Sequence, residues 1–405
     1  MKKLACFWAA VVFPCAAQTA LTVQDAIQRA LEIHPLLAAS AQRRHAAEGL
    51  RLQAGLAPNP RLVLQSENTR PYGNPSFVYL RDTDNFVYLQ NTFETAGKRE
   101  RRRDLADTAV DRSGHEIDLL RTQIAARVAS TYWIAAGARR VHQLLLDDAR
   151  TLEGVVEYHR VRVREGAMAE ADLIRVRLEA QRMAVTVNLA NLDAERGRIH
   201  LQREMGETAF DPVTLSDAVD RADRPPDAGL EQALRERAEI RLAQAAVRQA
   251  MANQRLQTVN AKPNVDVLFG YKRTAGFDTM IGGVQVDLPF ANRNQGNIAA
   301  SAAEIRVANS NLAATEALIR AEVQAAGMDY RMRRRDVIDT LRPTLESAAE
   351  TYRIADAAYR AGGTDLLRLL DAQRVRTESQ IAFARALTDL RLSETALRVS
   401  LGMEP

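Results

Sequence analysis

The chain has 405 residues, 46% of them hydrophobic but only 5% aromatic, and a formal charge of +4. That is material for a large core, and its richness in Ala, Leu, Arg and Glu is a helical composition. The positive excess, which falls to +2 without Lys2 and Lys3, is too small to argue for a nucleic-acid partner.

Residues 1–17 open with Lys2 and Lys3, continue as an apolar stretch through Phe13 and end on Ala16 and Ala17. This is the pattern of a cleaved secretory signal, with the cut expected after Ala17. The apolar run falls short of the roughly 20 residues a bilayer span needs. Cys15 lies near the cut, which leaves a lipid-anchored form open in principle, although Val12-Phe13-Pro14 lacks the small residues of a lipobox. Cys6 and Cys15 are the two cysteines. The mature chain is therefore expected to have no disulfide, thiolate metal site or cysteine nucleophile.

Next comes a short helix, broken from a second one by Pro35. Two strands with period-two alternation are expected at 61–69 and 84–93. No Pro or Gly pair interrupts Lys98 to Arg164, so a single helix of 67 residues is expected there. At 1.5 Å per residue it is about 100 Å long. Its apolar positions, from Ile117 through Leu145 and His159 to Val163, step by three or four, close to the ~3.5-residue period of a coiled coil. Gly97 precedes it, and Lys98, Arg99, Arg101, Arg102 and Arg103 crowd its start, where positive charge opposes the helix dipole. A compensating anion is expected, with lipid phosphate as one candidate and a solvated basic face as the alternative.

A turn at Gly166, a return helix and a polar stretch at 206–229 containing Pro225 and Pro226 close the first half. The second half repeats the plan. LRLQAGLAPNPRLVL (50–64) is echoed by QRLQTVNAKPNVDVL (254–268), and REGAMAEADLIRVR (164–177) by RAGGTDLLRLLDAQ (360–373). Strands are expected at 265–274 and 280–290. In the first of these, Val265, Val267, Phe269 and Tyr271 share a face opposite Asp266, Gly270 and Lys272. Ile298, Ile305, Leu312, Ile319 and Ala326 then fall seven apart. Arg331, Arg333, Arg334 and Arg335 are expected on a solvated or equatorial helix face. The domain plan is a signal at 1–17, a first repeat at 18–205, a linking segment at 206–229 and a second repeat at 230–405.

One face for lipid and one for water suits a transmembrane barrel strand, though a soluble hairpin shows the same period. Four strands are fewer than the roughly eight of the smallest membrane barrels, so a barrel requires several chains. No phosphate loop, nucleophile elbow or HExxH helix occurs. The six histidines never fall at i, i+3 or i, i+4, and His159 in the heptad seam is expected to be structural. No catalytic residue, resident metal or cofactor is expected.

The signal, the duplicated plan and the turn motifs EGAMAEADLIRVR (165–177) and AGGTDLLRLLDAQ (361–373) resemble the TolC-type outer-membrane efflux factors across residues 18–405. Within them, NPRLVLQSEN (59–68) and FETAGKRERR (93–102) look like the cobalt–zinc–cadmium resistance branch. The resemblance implies a mainly α fold with a small β part: a homotrimer whose twelve strands form one barrel in the outer membrane and whose long helices form a periplasmic tunnel. It implies a passive duct that docks on a periplasmic membrane-fusion adaptor and an inner-membrane RND-type pump, exporting divalent heavy-metal cations or organic toxicants. A soluble periplasmic coiled-coil scaffold is the alternative of a different class.

The resemblance also implies site residues. Gly166 and Gly362 would mark the hairpin tips that meet the adaptor, with Leu173, Leu366 and Leu369 as apolar contacts. Family members close a periplasmic gate with an Asp on the first tip, a Tyr and an Arg on the second, and two acidic pore residues. By position, Asp172 and Tyr359 are kept and Asp371 keeps one pore acid, while Thr364 stands in place of the Arg and Arg368 in place of the other acid. Asp172 is therefore expected to pair with Arg368 across the hairpins.

Overall fold

The computed structural model describes residues 20–69, 76–220 and 229–405. The signal with both cysteines, and Pro225 and Pro226, lie outside them. In chain order the elements are β1 (Ala20–Leu21), α1 (Val23–Ile33), α2 (Pro35–Ala54), β2 (Arg61–Glu67), α3 (Tyr79–Asp82), β3 (Asp84–Phe93), α4 (Lys98–Arg164), α5 (Glu170–Glu204) and β4 (Thr214–Leu215). There follow α6 (Leu230–Glu236), α7 (Ala238–Asn260), β5 (Val265–Thr274), β6 (Phe277–Val286), α8 (Gln295–Arg335), a π-helical turn (Asp336–Leu341), α9 (Arg342–Arg360) and α10 (Leu366–Ser400). The fold is mainly α with a small β part, and α4 has the expected 67 residues. The two return helices, α5 and α10, have 35 residues each.

Contacts divide the chain into two compact units. One is built from residues 36–120 and 230–321 and holds an antiparallel sheet in the order β2-β3-β5-β6. Its register lines up Leu62 with Leu89, Leu89 with Phe269, and Phe269 with Gly282; on the same face Val87 meets Tyr271 and Tyr271 meets Met280. Because side chains alternate across a strand, this alignment makes one apolar face over all four strands. It is left open: Leu62, Leu64, Leu89, Phe269, Met280 and Val284 are each more than half exposed. Strands β2 and β6 are the sheet's two edges.

The fourth strand differs from the expected 280–290. β5 and β6 are joined by a two-residue loop in which Ala275 (φ 50°) and Gly276 (φ 84°) both have positive φ, and Thr274 pairs with Phe277. Such a loop matches the right-handed twist of the flanking strands, so pairing resumes at once and the strand ends at Val286, before Pro289.

The other unit contains residues 121–229 and 322–405, together with the N-terminal segment. β1 pairs in parallel with β4, a contact absent from the sequence pattern because each strand has only two residues. Tyr132 of α4, fully buried, ties them down. Its hydroxyl donates to the Leu21 carbonyl at 2.8 Å and accepts from the Asp217 backbone N–H at 3.1 Å. Burial, then the Asp217 carboxylate, push the phenol up to about 12.

The second repeat's descending helix is broken where α4 is not. The π-helical turn separates α8 from α9, and Pro343 lies in the first turn of α9. Proline lacks the N–H that an uninterrupted α-helix would need, and the wider turn absorbs the missing bond. Of the nearby basic run, Arg333 pairs with Asp329 and Asp389, while Arg331, Arg334 and Arg335 are exposed.

Tyr132→Phe removes a buried hydrogen bond and takes its acceptor from the Asp217 backbone N–H, while the Leu21 carbonyl keeps the Ser216 N–H, at a cost of about 1–3 kcal/mol. Thermal unfolding in detergent should show the loss. Neutral phenol is the form the fold favours, so its contribution is complete below the ordinary value of 10.0 and declines as pH rises towards about 12. The gap between wild type and variant should therefore narrow over that range; a gap independent of pH would contradict the assignment.

Candidate functional site

Both hairpins turn by the same mechanism. After α4, the Ala167 N–H reaches the Arg162 carbonyl at 2.9 Å and the Gly166 N–H reaches Val163 at 3.0 Å. After α9, the Gly363 N–H reaches Ala358 at 2.8 Å and the Gly362 N–H reaches Tyr359 at 3.0 Å. These are Schellman caps, which require a left-handed residue; Gly166 has φ 72° and Gly362 φ 76°. No atom crowds the place of a Cβ at either one. The glycines are there for backbone conformation, not for space.

The apolar residues beside the turns face inward. Leu173, Leu366 and Leu369 are 6%, 6% and 2% exposed, and Leu173 and Leu366 share a core with Leu152, Val156 and Val176. This corrects their expected role as docking contacts: all three are buried, Leu173 and Leu366 against Leu152 and Val156 of α4. The exposed large apolar residues near the turns are Val161, Ile174 and Leu367.

Above this core, His159 of α4 meets Tyr359 of α9. The rings stack with centroids 5.7 Å apart, and Nε2 lies 2.7 Å from the Tyr359 hydroxyl. His159 Nδ1 is 2.7 Å from the Val155 carbonyl. A carbonyl only accepts, so Nδ1 carries the proton and Nε2 accepts from the phenol. His159 is fully buried and structural, as its seam position suggested. Burial raises the Tyr359 phenol, and the Asp172 carboxylate adds to it.

The expected Asp172–Arg368 ion pair is absent among the described residues. Arg368 is exposed, and its backbone N–H is held 2.9 Å from Asp365 Oδ1, the N-cap of α10. Thr364 precedes that cap and is half-buried; Asp371 is exposed on the first turns of α10.

A second link across the repeats had no sequence signal beyond residue type. Asp148 of α4, 3% exposed, takes the Arg376 guanidinium at 2.5 Å and the Thr377 hydroxyl, both from α10. The same guanidinium lies 4.0 Å over the ring of Tyr352 in α9. Between α5 and α10, floored by Leu145 and Leu152 of α4, runs a groove of about 490 Å³.

In the sheet-bearing unit, the basic start of α4 finds its anion inside the chain. Glu94 pairs with Arg102 and Arg99, and its carboxyl is held below the usual range, chiefly by Arg102. Lys98 is buried, with Nζ 2.6 Å from Asn264 Oδ1, and burial pushes its ammonium down. Arg101 pairs with Asp104. These four therefore have partners within the chain, where lipid phosphate was one expected anion; Arg103 is exposed and makes no ion pair among the described residues.

The described residues contain no group of three or more His, Cys, Asp or Glu able to hold a metal, and no helix long and apolar enough to cross a membrane. Residues 229–403 match the outer membrane efflux protein family. The cobalt-zinc-cadmium resistance protein CzcC of Cupriavidus metallidurans is 22% identical over 394 residues, spanning 96% of this chain and 92% of its own. Among solved structures, CusC superposes with a TM-score of 0.78 at 15% identity, covering 95% of this chain and 93% of that one. The open state of the Neisseria gonorrhoeae MtrE outer membrane channel gives 0.77 at 18% identity, covering 94% and 89%.

Asp148→Ala strands the Arg376 cation and should cost about 3–5 kcal/mol. Arg376→Ala should cost a similar amount, and the double variant should recover part of the loss. Fully additive losses in denaturant unfolding would show that the two do not interact.

Proposed function

We propose, from the match of residues 229–403 to the outer membrane efflux protein family, that the chain is the outer-membrane exit duct of a tripartite efflux system. Three copies pool their strands into one barrel, and the helical hairpins continue it into the periplasm. The observation that carries this reading is the four-stranded sheet: its apolar face is open on every strand, its two edges are unpaired within it, and four strands are too few to close alone. Such a face is a liability in water and a requirement in lipid, which disfavours the soluble scaffold.

The likeness to CzcC supports divalent heavy-metal cations as cargo. Without a site that holds metal among the described residues, the duct contributes passage and the pump supplies selection and energy. The turns at Gly166 and Gly362 meet the adaptor, with Val161 and Leu367 as the exposed apolar contacts in place of Leu173, Leu366 and Leu369. Deletion of the gene should sensitise cells to Co²⁺, Zn²⁺ or Cd²⁺, and the purified protein should conduct in planar bilayers. Sensitivity to organic toxicants alone would move the cargo to that class. Absence of conductance would remove the duct.

Closure at the turns depends on the cross-repeat bond to Tyr359, beside Asp172. Tyr359→Phe keeps the ring and deletes the hydroxyl that donates to His159, so the isolated protein should conduct more than wild type. Unaltered conductance would leave the bond a packing detail.

A further inference from the structure

The sheet has a second face, opposite the open apolar one. There the register sets Gln90 against Leu268, Tyr88 against Gly270 and Phe86 against Lys272. Successive residues of a strand alternate between faces, so Lys272 points away from its neighbours Tyr271 and Arg273, which belong to the apolar side. Its ammonium lies 5.0 Å from the centre of the Phe86 ring and makes no ion pair among the described residues. An ammonium within about 6 Å of a ring centre is attracted to the ring's negative face. Phe86 thus steadies the charge against the wall without neutralising it.

The carboxylates of this face bind neutral donors instead. One layer nearer the β5–β6 loop, Glu67 stands opposite Asp84. Glu67 accepts from the Gln65 amide at 2.8 Å, and Asp84 accepts from the Asn68 amide at 2.6 Å and the Ala275 N–H at 3.1 Å. Asp266 takes the Thr92 hydroxyl at 2.5 Å and lies six residues before Lys272 on β5, about 20 Å along the strand. Arg61, the other cation of the face, is four residues from Gln65, which shares the layer of Phe86 and Lys272. That is a separation of about 14 Å. Lys272 is therefore the one charge of its layer, with no anion bound to it.

In the duct reading the helices lie on the periplasmic side, so the loop at Ala275 and Gly276 marks the outer mouth and Lys272 sits about 7 Å inside the end of β5. The face opposite lipid is then the lumen wall. We propose that Lys272 sets the charge selectivity of the exit: three copies place three ammonium groups in one layer of the lumen, and that layer lowers the permeability of cations relative to anions. The inference deepens the duct reading and rests on it for the barrel and for the number of copies. A fixed charge slows cations in both directions alike. The pump sets the outward flux, however, so what the layer reduces is the return of exported cations from the medium.

The test is the reversal potential of the purified full chain in planar bilayers under a KCl gradient. Near 0.1 M salt, where charges act over ~10 Å, Lys272→Gln should raise the K⁺ to Cl⁻ permeability ratio about twofold or more, and Lys272→Glu further. Lys272→Arg keeps the charge and should keep the wild-type ratio. The shifts should fade at about 1 M, where the screening length is ~3 Å. Arg273→Gln removes a charge one residue away on the apolar face and should move the ratio far less. A ratio unchanged in both Lys272→Gln and Lys272→Glu would overturn the proposal, and so would an equal shift from Arg273→Gln, which would put the other face in the lumen. Channels that conduct with unaltered selectivity remove the lysine layer and leave the duct, whereas a wild-type protein that does not conduct removes the duct and the layer with it.

Discussion

The buried carboxylate of Asp148 is the interaction on which the alignment of the two repeats depends. Apolar seams rich in Ala and Leu tolerate sliding, because one small residue fills a gap much like the next. A carboxylate with 3% exposure does not. If α10 moved by one turn along α4, Arg376 and Thr377 would leave Asp148 unpaired at the full cost of a stranded buried charge. Arg376 also lies on the Tyr352 ring, so one cation sets the position of α9 as well. The site is not fully satisfied, since Arg376 Nε and both amide atoms of neighbouring Gln373 have no hydrogen-bond partner among the described residues. Register here comes from polar groups placed in the seam at a cost in stability.

Much of this architecture was legible in the sequence, and the failures have physical causes. The bounds of α4 followed from the absence of helix breakers, and the turns from glycine at two equivalent positions. Asp147 and Asp148 illustrate the limit. They are adjacent and chemically identical, yet Asp147 pairs with Arg150 on an exposed surface while Asp148 is buried by a helix more than 200 residues away. Nothing local distinguishes them. The leucines beside the turns were placed outward for the same reason: spacing gives a face, but not which neighbour covers it.

The start of α4 shows a different lapse. The dipole argument rightly required an anion, and Glu94 stood four residues before Lys98 in the sequence. Its role became visible only once the chain between β3 and α4 folded back to bring it beside Arg99 and Arg102. The hairpin loop at Ala275 was hidden in another way, because positive φ at a residue with a Cβ is uncommon and alternation alone put the strand start three residues late.

Duplication without identity is what ties these particulars together. The repeats share strands, caps and return helices, but the first descends as one unbroken helix and the second through a π-helical turn and Pro343. The in-chain contact is further distinguished by Asp148, whose equivalent position 196 residues on is Thr344, a neutral side chain on an exposed stretch of α9. Duplication therefore supplied the shape twice, while the buried charge that sets register lies on the descending helix of the first repeat and not at the equivalent position of the second.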